Sequence, residues 1–344
     1  VKGESVQGDI LVMLPNWLGD VMMSLPSLNR FRQCVPTSSL HVLCRAPFQE
    51  LLSWQPFVDQ VHAGKGSKMD DLWRAWRLRS MGLNMVVVLP NSFRSGLQAA
   101  LIGANRRIGY RGECRGFFLT DELPGKGDPS LHQSQRYEFL FRHAGMEGEM
   151  SFCPFVVPLD KVQEVGVRFL GKGFQDRCQY VVACPGAGFG EAKRWPPEAF
   201  ASVCQGLLDQ AVNKVLIVGS GSERGICDEL ALHLEKSHSG CTINLCGKTD
   251  LAELACLLSR AVVCLANDSG PMHLAAGLGV RTVGVFLSTS TEVSRPFGER
   301  VASVEANVSC RPCFKRRCPR KTWACLHDID THEVLEQALL LISR

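Results

Sequence analysis

Four turns in this 344-residue sequence set glycine beside side chains able to hold an anion or move a proton, and a fifth segment gathers cysteines. The first is Pro15-Asn16-Trp17-Leu18-Gly19-Asp20, directly after the apolar run DILVML. Gly19 permits a tight bend and close backbone approach to a ligand. Asp20 stands where a helix begins, and on residues alone it is either a general base or an ordinary N-cap. The second turn runs from Pro185 to Pro196 and carries Gly186, Gly188 and Gly190, then Lys193 and Arg194. Its free N–H groups and two cations suit a diphosphate. It is not the G-x-G-x-x-G fingerprint, since no helix follows the glycines directly, nor a Walker loop, which needs Gly-Lys-Ser/Thr.

The third turn, Gly219-Ser220-Gly221-Ser222-Glu223, ends on a carboxylate after a strand. Glu223 there either binds ribose hydroxyls or compensates a helix N-terminus. The fourth is Asn267-Asp268-Ser269-Gly270-Pro271-Met272-His273. Pro271 fits a first helical turn and leaves the N–H groups around Ser269 and Gly270 open to an anion. A histidine such as His273 is more often structural, though its place in the helix's first turn argues for the site. Cys310, Cys313, Cys318 and Cys325 have the spacing C-x2-C-x4-C-x6-C. That spacing suits a structural zinc site, against reduced or partly disulfide-linked cysteines in a loop.

Such turns need strands to end on and helices to start. DILVML, LHVLC, VDQVHA, MVVVLP and RRIGY read as strands, with helical stretches such as VMMSLPSLNRFRQ and SGLQAALIG between them. The alternation restarts near residue 179 with YVVACP, KVLIVG, TINLCG, VVCLAND and RTVGVF. Continuous apolar runs alternating with helices predict parallel sheets covered on both faces. The glycine- and charge-bearing stretch from Leu159 to Arg177 is the expected junction, giving domains 1–165 and 166–344. The last segment, THEVLEQALLLIS, is an amphipathic helix expected to pack back on the first domain. The fold class is thus α/β: two doubly wound Rossmann-like domains facing across a cleft, with ligands beyond the carboxyl ends of the strands.

Composition narrows the function. Apolar residues at 45% and charged residues at 21% are the balance of a globular enzyme. A net charge of +4 is too small to argue for nucleic acid. No apolar run spans a bilayer, and VKGESVQGD lacks the order of a signal peptide, so a cytoplasmic location is expected. Sixteen cysteines in a chain this large read mainly as small buried hydrophobes, as Cys184 and Cys264 do within their strands. Basic residues cluster at Arg94, Arg106, Arg107, Arg111 and Arg115 and again at Lys315 to Lys321, either as solvated faces or as contacts for phosphate or an anionic membrane.

Taken in order, these segments resemble the glycosyltransferase family that contains the ADP-heptose:lipopolysaccharide heptosyltransferases. The resemblance rests on ILVMLPNWLGDVMMSLPSL, LPNSFRSGLQAALIGANRRIGYRGECRGFFLTDELP, PGAGFGEAKRWPPEAFA, LANDSGPMHLAAGLGVRTVGVF and CRPCFKRRCPRKTWACL, and covers nearly the whole chain. It implies a GT-B architecture and an inverting transfer of heptose from ADP-L-glycero-D-manno-heptose to the lipopolysaccharide inner core, with no cofactor and no catalytic metal. By the same resemblance Asp20 is the base. Lys193 meets the donor phosphates with Gly188, Ser269 and Gly270, Asp268 faces the donor sugar, and His273 completes the motif; Glu223 as a ribose ligand is a weaker correspondence. The acceptor, a lipid A-Kdo-heptose core, is expected on the first domain at Asn91, Ser92, Arg94, Arg111 and Arg115. Its lipid anchor implies peripheral contact with the anionic cytoplasmic face of the inner membrane. The alternatives are a GT-B transferase using another nucleotide sugar, and a nicotinamide-dependent oxidoreductase, against which the missing G-x-G-x-x-G counts. A non-catalytic binding protein would have no need of Asp20 and Lys193 together.

Overall fold

A computed structural model describes residues 8–64, 66–125, 130–171 and 178–344. The opening VKGESVQ and the last part of the expected junction, 172–177, lie outside the described residues. The backbone divides into two compact units, Val1–Cys153 and Pro154–Arg344.

The first unit contains β1 (Ile10–Met13), α1 (Leu18–Cys34), β2 (Leu40–Arg45), α2 (Gln49–Ser53), β3 (Gln60–Gly64), α3 (Lys68–Leu78), β4 (Met85–Val88), α4 (Phe93–Ile102), β5 (Arg106–Tyr110), β6 (Asp121–Leu123) and α5 (Gln133–His143). Its parallel sheet has the order β3-β2-β1-β4-β5-β6. β1 is central, with Ile10 opposite both Leu40 and Met85. All four β1 and all four β4 residues are buried, as strands covered on both faces require. Ser92 caps α4 by accepting from the Ser95 N–H, and Gly103 closes the helix at a φ of 73°, where a side chain would be strained. β6 is missed in the sequence because DEL at a half-exposed edge shows no apolar run.

The second unit contains α6 (Leu159–Leu170), β7 (Tyr180–Cys184), α7 (Pro197–Gln210), β8 (Lys214–Ile217), α8 (Arg224–Glu235), β9 (Thr242–Asn244), α9 (Leu251–Ser259), β10 (Val263–Asn267), α10 (Gly270–Gly277), β11 (Thr282–Phe286), α11 (Thr291–Ser294), β12 (Val301–Glu305), α12 (Ala324–His327) and α13 (Thr331–Ser343). Its parallel order is β12-β11-β10-β7-β8-β9. The stretch expected as a junction is largely the helix α6, which packs on α9 and pairs Arg168 with Glu253. The division between units therefore precedes this helix instead of following residue 165. Val334 and Ala338 of α13 are fully buried in the second core beside Trp195 and Phe200. Leu335 packs into space left by the missing side chain of Gly206, and Arg281 Nε donates to the Leu341 carbonyl at 2.7 Å. The buried face of α13 is thus used within the second unit, where the sequence alone suggests a return to the first.

In each sheet the strand order reverses at one place, between β1 and β4 and between β7 and β10. Helices leave such a pair of strands on opposite faces, so the two strand-end turns part and open a crevice. The turns flanking the first are those of Asn16 to Asp20 and Asn91 to Arg94. Those flanking the second are Gly186 to Lys193 and Asp268 to Gly270. The topology brings together residues distant in sequence that already looked capable of chemistry.

Candidate active site

In the first unit, α1 begins at Leu18 with Trp17 at its N-cap and no side-chain cap. Asp20 is therefore the third helical residue and not the cap, which leaves its carboxylate for another partner. That partner is Tyr137 of α5, a buried phenol that hydrogen-bonds Asp20 and also meets Gln133. Burial, then the negative charge of Asp20, raises the Tyr137 pKa well above the ordinary phenol value. Tyr137 thus stays protonated and donates, which holds the carboxylate in one orientation and favours its ionised form. Sequence reasoning misses Tyr137 because α5 was not anticipated; no spacing links it to the turn at Asp20.

Beside this turn a cavity of about 370 Å³ lies at the carboxyl ends of β1 to β4, lined among others by Asn16, Trp17, Ser92 and Arg94. Asn91 is held differently, its Oδ1 accepting from Arg115 at 3.0 Å. Arg115 is fully buried and donates to the carbonyls of Tyr110 and Pro90 and to Ser95 Oγ. Burial pushes its pKa down to about 10, still charged at neutral pH. Its guanidinium ties β4, β5 and the α4 entrance together, so the expected acceptor contact is corrected to a structural one. Arg111 is exposed, stands 3.9 Å from Glu122, and lies outside the cavity lining. Arg94 lines the cavity and stands 3.7 Å from Asp71.

In the second unit, Lys193 Nζ contacts Asp268 Oδ2 at 2.6 Å, with side-chain exposures of only 14% and 3%. Thr289 Oγ1 donates to the same oxygen at 2.6 Å, and His273 Nε2 stands 3.8 Å from Oδ1, beyond hydrogen-bond length. Burial alone raises the pKa of Asp268, but His273 and Lys193 outweigh it and hold the carboxyl well below the usual range. The neighbouring Asn267 fixes the frame: its Oδ1 accepts from the Trp195 N–H at 3.1 Å and its amide donates to the Pro185 carbonyl at 2.7 Å. One buried amide therefore ties the end of β10 to both ends of the glycine-rich turn. Lys193 has three N–H donors; Asp268 Oδ2 takes one and the Asp268 main-chain oxygen, at 3.4 Å, another, so a phosphate oxygen can take the third.

α10 starts at Gly270 with Ser269 at its N-cap, and neither Ser269 nor any other side chain caps it. The Ser269 hydroxyl is buried without a hydrogen-bond partner. Pro271 lacks an N–H, leaving the remaining first-turn amides and the helix dipole open to an anion. Gly188 lies exposed in the opposite turn. Glu223 forms a capping box with Ser220, Oε2 accepting from the Ser220 N–H at 2.8 Å and hydroxyl at 2.7 Å. Its other oxygen lies against Gly186, where any side chain would collide with it. The helix-start role is thus present; one carboxylate oxygen still faces the glycine-rich turn.

The four cysteines of the C-terminal loop are free. Their sulfurs do not gather at metal-ligand spacing; among the described residues the group that does is Glu198, Glu229 and His233. Backbone N–H groups, that of Trp323 foremost and those of residues 320–322, point at the Cys318 sulfur and lower its pKa, while burial raises that of Cys325. Cys325 also feels the charges of Cys313, Cys310 and Cys318, so the loop brings the four thiols into one neighbourhood although no three of their sulfurs stand at metal-ligand spacing. This loop supports the glycine-rich turn. The Arg316 carbonyl accepts from the Ala192 N–H at 3.1 Å, and a Cβ on Gly190 would stand 2.5 Å from that carbonyl oxygen. Arg316 also lies over the Phe189 ring at 5.4 Å, as does Lys193 at 5.0 Å.

Comparison with known proteins bears on the family and the fold. The profile of glycosyltransferase family 9 (heptosyltransferase) matches residues 72–324. Lipooligosaccharide heptosyltransferase 2 of Campylobacter jejuni is 35% identical, over 97% of this chain and 98% of its own. Lipopolysaccharide heptosyltransferase 2 of Escherichia coli K12 is 28% identical, over 96% and 98%. The solved structure of the E. coli ADP-heptose lps heptosyltransferase II superposes with a TM-score of 0.84 at 26% identity, covering 97% of this chain and 98% of that one.

Proposed function

The chain belongs to glycosyltransferase family 9, the heptosyltransferases, and from that premise we propose that it acts as a heptosyltransferase II, moving heptose from ADP-L-glycero-D-manno-heptose to the inner core of lipopolysaccharide. The observation that carries the donor half is the buried Lys193–Asp268 pair beside the uncapped start of α10. In the reaction an acceptor hydroxyl oxygen bonds to the anomeric carbon from the face opposite ADP, and its proton passes to Asp20. The bond from that carbon to the diphosphate oxygen breaks, and its electron pair leaves with ADP. Lys193 and the α10 amides stabilise that charge where it develops, which gives the transition state more than the ground state. Asp268 orients Lys193, and Tyr137 orients Asp20.

A panel of ADP-heptose, ADP-glucose, UDP-glucose and GDP-mannose, offered with a heptose-deficient core acceptor, tests the assignment. Transfer should be specific for ADP-heptose and should continue in EDTA without added Mg²⁺. Preference for another donor, or activity lost to EDTA and restored by Mg²⁺, would overturn donor identity or the role given to Lys193.

The lipid-anchored acceptor places the enzyme at the cytoplasmic face of the inner membrane in this reading. The contact proposed is peripheral; no helix among the described residues is long and apolar enough to cross a membrane. Arg106 and Arg107, candidates on sequence, are ill placed for it. Arg106 pairs with Asp121 at 3.1 Å, and Arg107 donates to the carbonyls of Phe118 and Ala104. α3 is the better surface, exposing Met69, Trp73 and Trp76 with Arg77 over the Trp73 ring at 4.7 Å. Tryptophan beside arginine is the composition of a membrane interface, and each cation near an anionic surface contributes about 1 kcal/mol. Replacing Trp73 and Trp76 by Ser should abolish sedimentation with vesicles containing anionic lipid, and binding by the parent should weaken as salt rises. Equal sedimentation of both proteins would move the contact elsewhere.

A further inference from the structure

The buried pair in the second unit is rich in contacts and poor in charge. Lys193 and Asp268, a cation and a carboxylate 2.6 Å apart, cancel each other as a unit. In the proposed transfer the departing ADP gains a negative charge that the bound donor lacks. A cation without a carboxylate of its own would therefore give the transition state what this pair cannot. The cysteine-bearing loop brings one. Arg316 is exposed, and among the described residues no carboxylate lies within ion-pair distance of it; Glu191, in the glycine-rich turn, goes instead to the neighbouring Arg317 at 3.0 Å. The Arg316 guanidinium lies 5.4 Å from the centroid of the Phe189 ring, and Lys193 Nζ lies 5.0 Å from the same centroid. The electron-rich faces of one ring thus hold both cations at the turn. Like charges gathered on one ring repel each other, and an anion that met both would remove that cost.

Backbone contacts fix where this arginine stands. Its carbonyl accepts from the Ala192 N–H at 3.1 Å, and its main chain fills the space beside Gly190, where a Cβ would come within 2.8 Å of the Arg316 Cα. Further back in the loop, the N–H groups of Cys313 and Phe314 donate to the Ser288 carbonyl at 3.1 and 2.9 Å, and Arg311 donates to the Thr289 carbonyl. Thr289 is the residue whose hydroxyl holds Asp268. The loop is therefore pinned both to the glycine-rich turn and to the turn after β11. We propose that Arg316 is a second ligand of the donor diphosphate, set beside the turn by the Phe189 ring, and that it supplies the net positive charge the Lys193–Asp268 pair lacks. The proposal rests on the transferase reading above and adds to it a residue from outside the four glycine-bearing turns. Arginine suits the task because its planar fork can meet two phosphate oxygens at once.

The test measures ADP affinity by calorimetry and heptose transfer from ADP-heptose, both on the whole enzyme. Arg316→Gln keeps a polar side chain without the charge. It should weaken ADP binding at least about tenfold and lower turnover as well, since the contact persists into the departing diphosphate. Arg316→Lys should recover part of both losses, because it keeps the charge without the planar fork. ADP binding by the parent should weaken as salt rises, and more steeply than binding by Arg316→Gln, which has one exposed cation fewer to be screened. Arg320→Gln, the same charge change elsewhere on the loop, should leave affinity and turnover near the parent values. Adenosine, which carries no phosphate, should compete equally well against the parent and Arg316→Gln. Parental ADP affinity and turnover in Arg316→Gln would overturn the proposal. So would an equal loss in Arg320→Gln, which would reduce the effect to the general charge of the loop, or an equal loss of adenosine competition, which would make Arg316 structural. Should Arg316→Gln fail to fold, Arg316→Ala, which also leaves the backbone contacts of the loop in place, serves with the same expectations and the same overturning results. Failure of the transferase reading looks different: the parent would bind ADP but transfer no heptose, and ADP affinity alone would then decide the role of Arg316.

Discussion

Asp20→Asn should lower turnover by about 10²- to 10⁴-fold while ADP binds as it does to the parent. The amide keeps the size and the hydrogen bond to Tyr137 but cannot take the acceptor's proton. In the proposed reaction the donor phosphates are met by Lys193 and α10 of the second unit, so calorimetric titration with ADP should report an intact site. The structure adds a second arm. Tyr137→Phe removes a buried donor to a charged acceptor, an interaction worth about 1.5–3 kcal/mol. Because that donor favours the ionised carboxylate, its loss should move the acidic limb of the pH–rate profile upward and lower turnover near neutrality. Raising the pH should then recover part of the activity of Tyr137→Phe and none of that of Asp20→Asn. Near-parental turnover in Asp20→Asn would remove Asp20 from the base role. A purely structural Tyr137 would lower yield or melting temperature without moving the limb.

The contrast between these two residues shows where the sequence is legible. Asp20, Lys193 and Asp268 sit at the ends of apolar runs, and buried parallel strands announce themselves by such runs because both faces must be covered. Once the runs are placed, the order of a doubly wound sheet brings their turns together. Tyr137 lies on α5, Asn267 hides its buried amide inside an apolar strand, and Thr289 reaches Asp268 from the turn after β11. Each acts through a contact distant in sequence, for which periodicity carries no signal. Arg115 shows the opposite error. A cluster of arginines looks uniformly solvated in sequence, yet this one is fully buried with its donors on Tyr110, Pro90, Ser95 and Asn91. Edge strands β6 and β12 escaped for a related reason, since a half-exposed edge needs no continuous apolar run. The four-cysteine spacing does bring the thiols into one neighbourhood, but spacing along the chain carries no information on how near the sulfurs come to one another.

Lys193→Ala should have the largest combined effect, on activity and on stability together. In its proposed role as a phosphate ligand, Lys193 would act in both the bound donor and the departing diphosphate, so ADP affinity and turnover should both fall. As the partner of Asp268, it also neutralises a carboxylate that is 3% exposed. Removing one member of such a pair leaves an uncompensated buried charge and typically costs about 3–5 kcal/mol. Because the folded pKa of Asp268 lies below its ordinary value of 3.8, the pair's stabilisation is complete above that value. It is lost only as pH falls further, toward the folded pKa, so urea unfolding at neutral pH reads it in full. The two roles separate in the double variant Lys193→Met with Asp268→Asn. It removes both charges and keeps the volume, so much of the lost stability should return while turnover stays low. A double variant as unstable as Lys193→Ala would mean that the pair is not what holds these turns together. A single variant that binds ADP and turns over like the parent would leave Lys193 with a structural role alone, and the charge on the departing diphosphate would fall to the amides of α10.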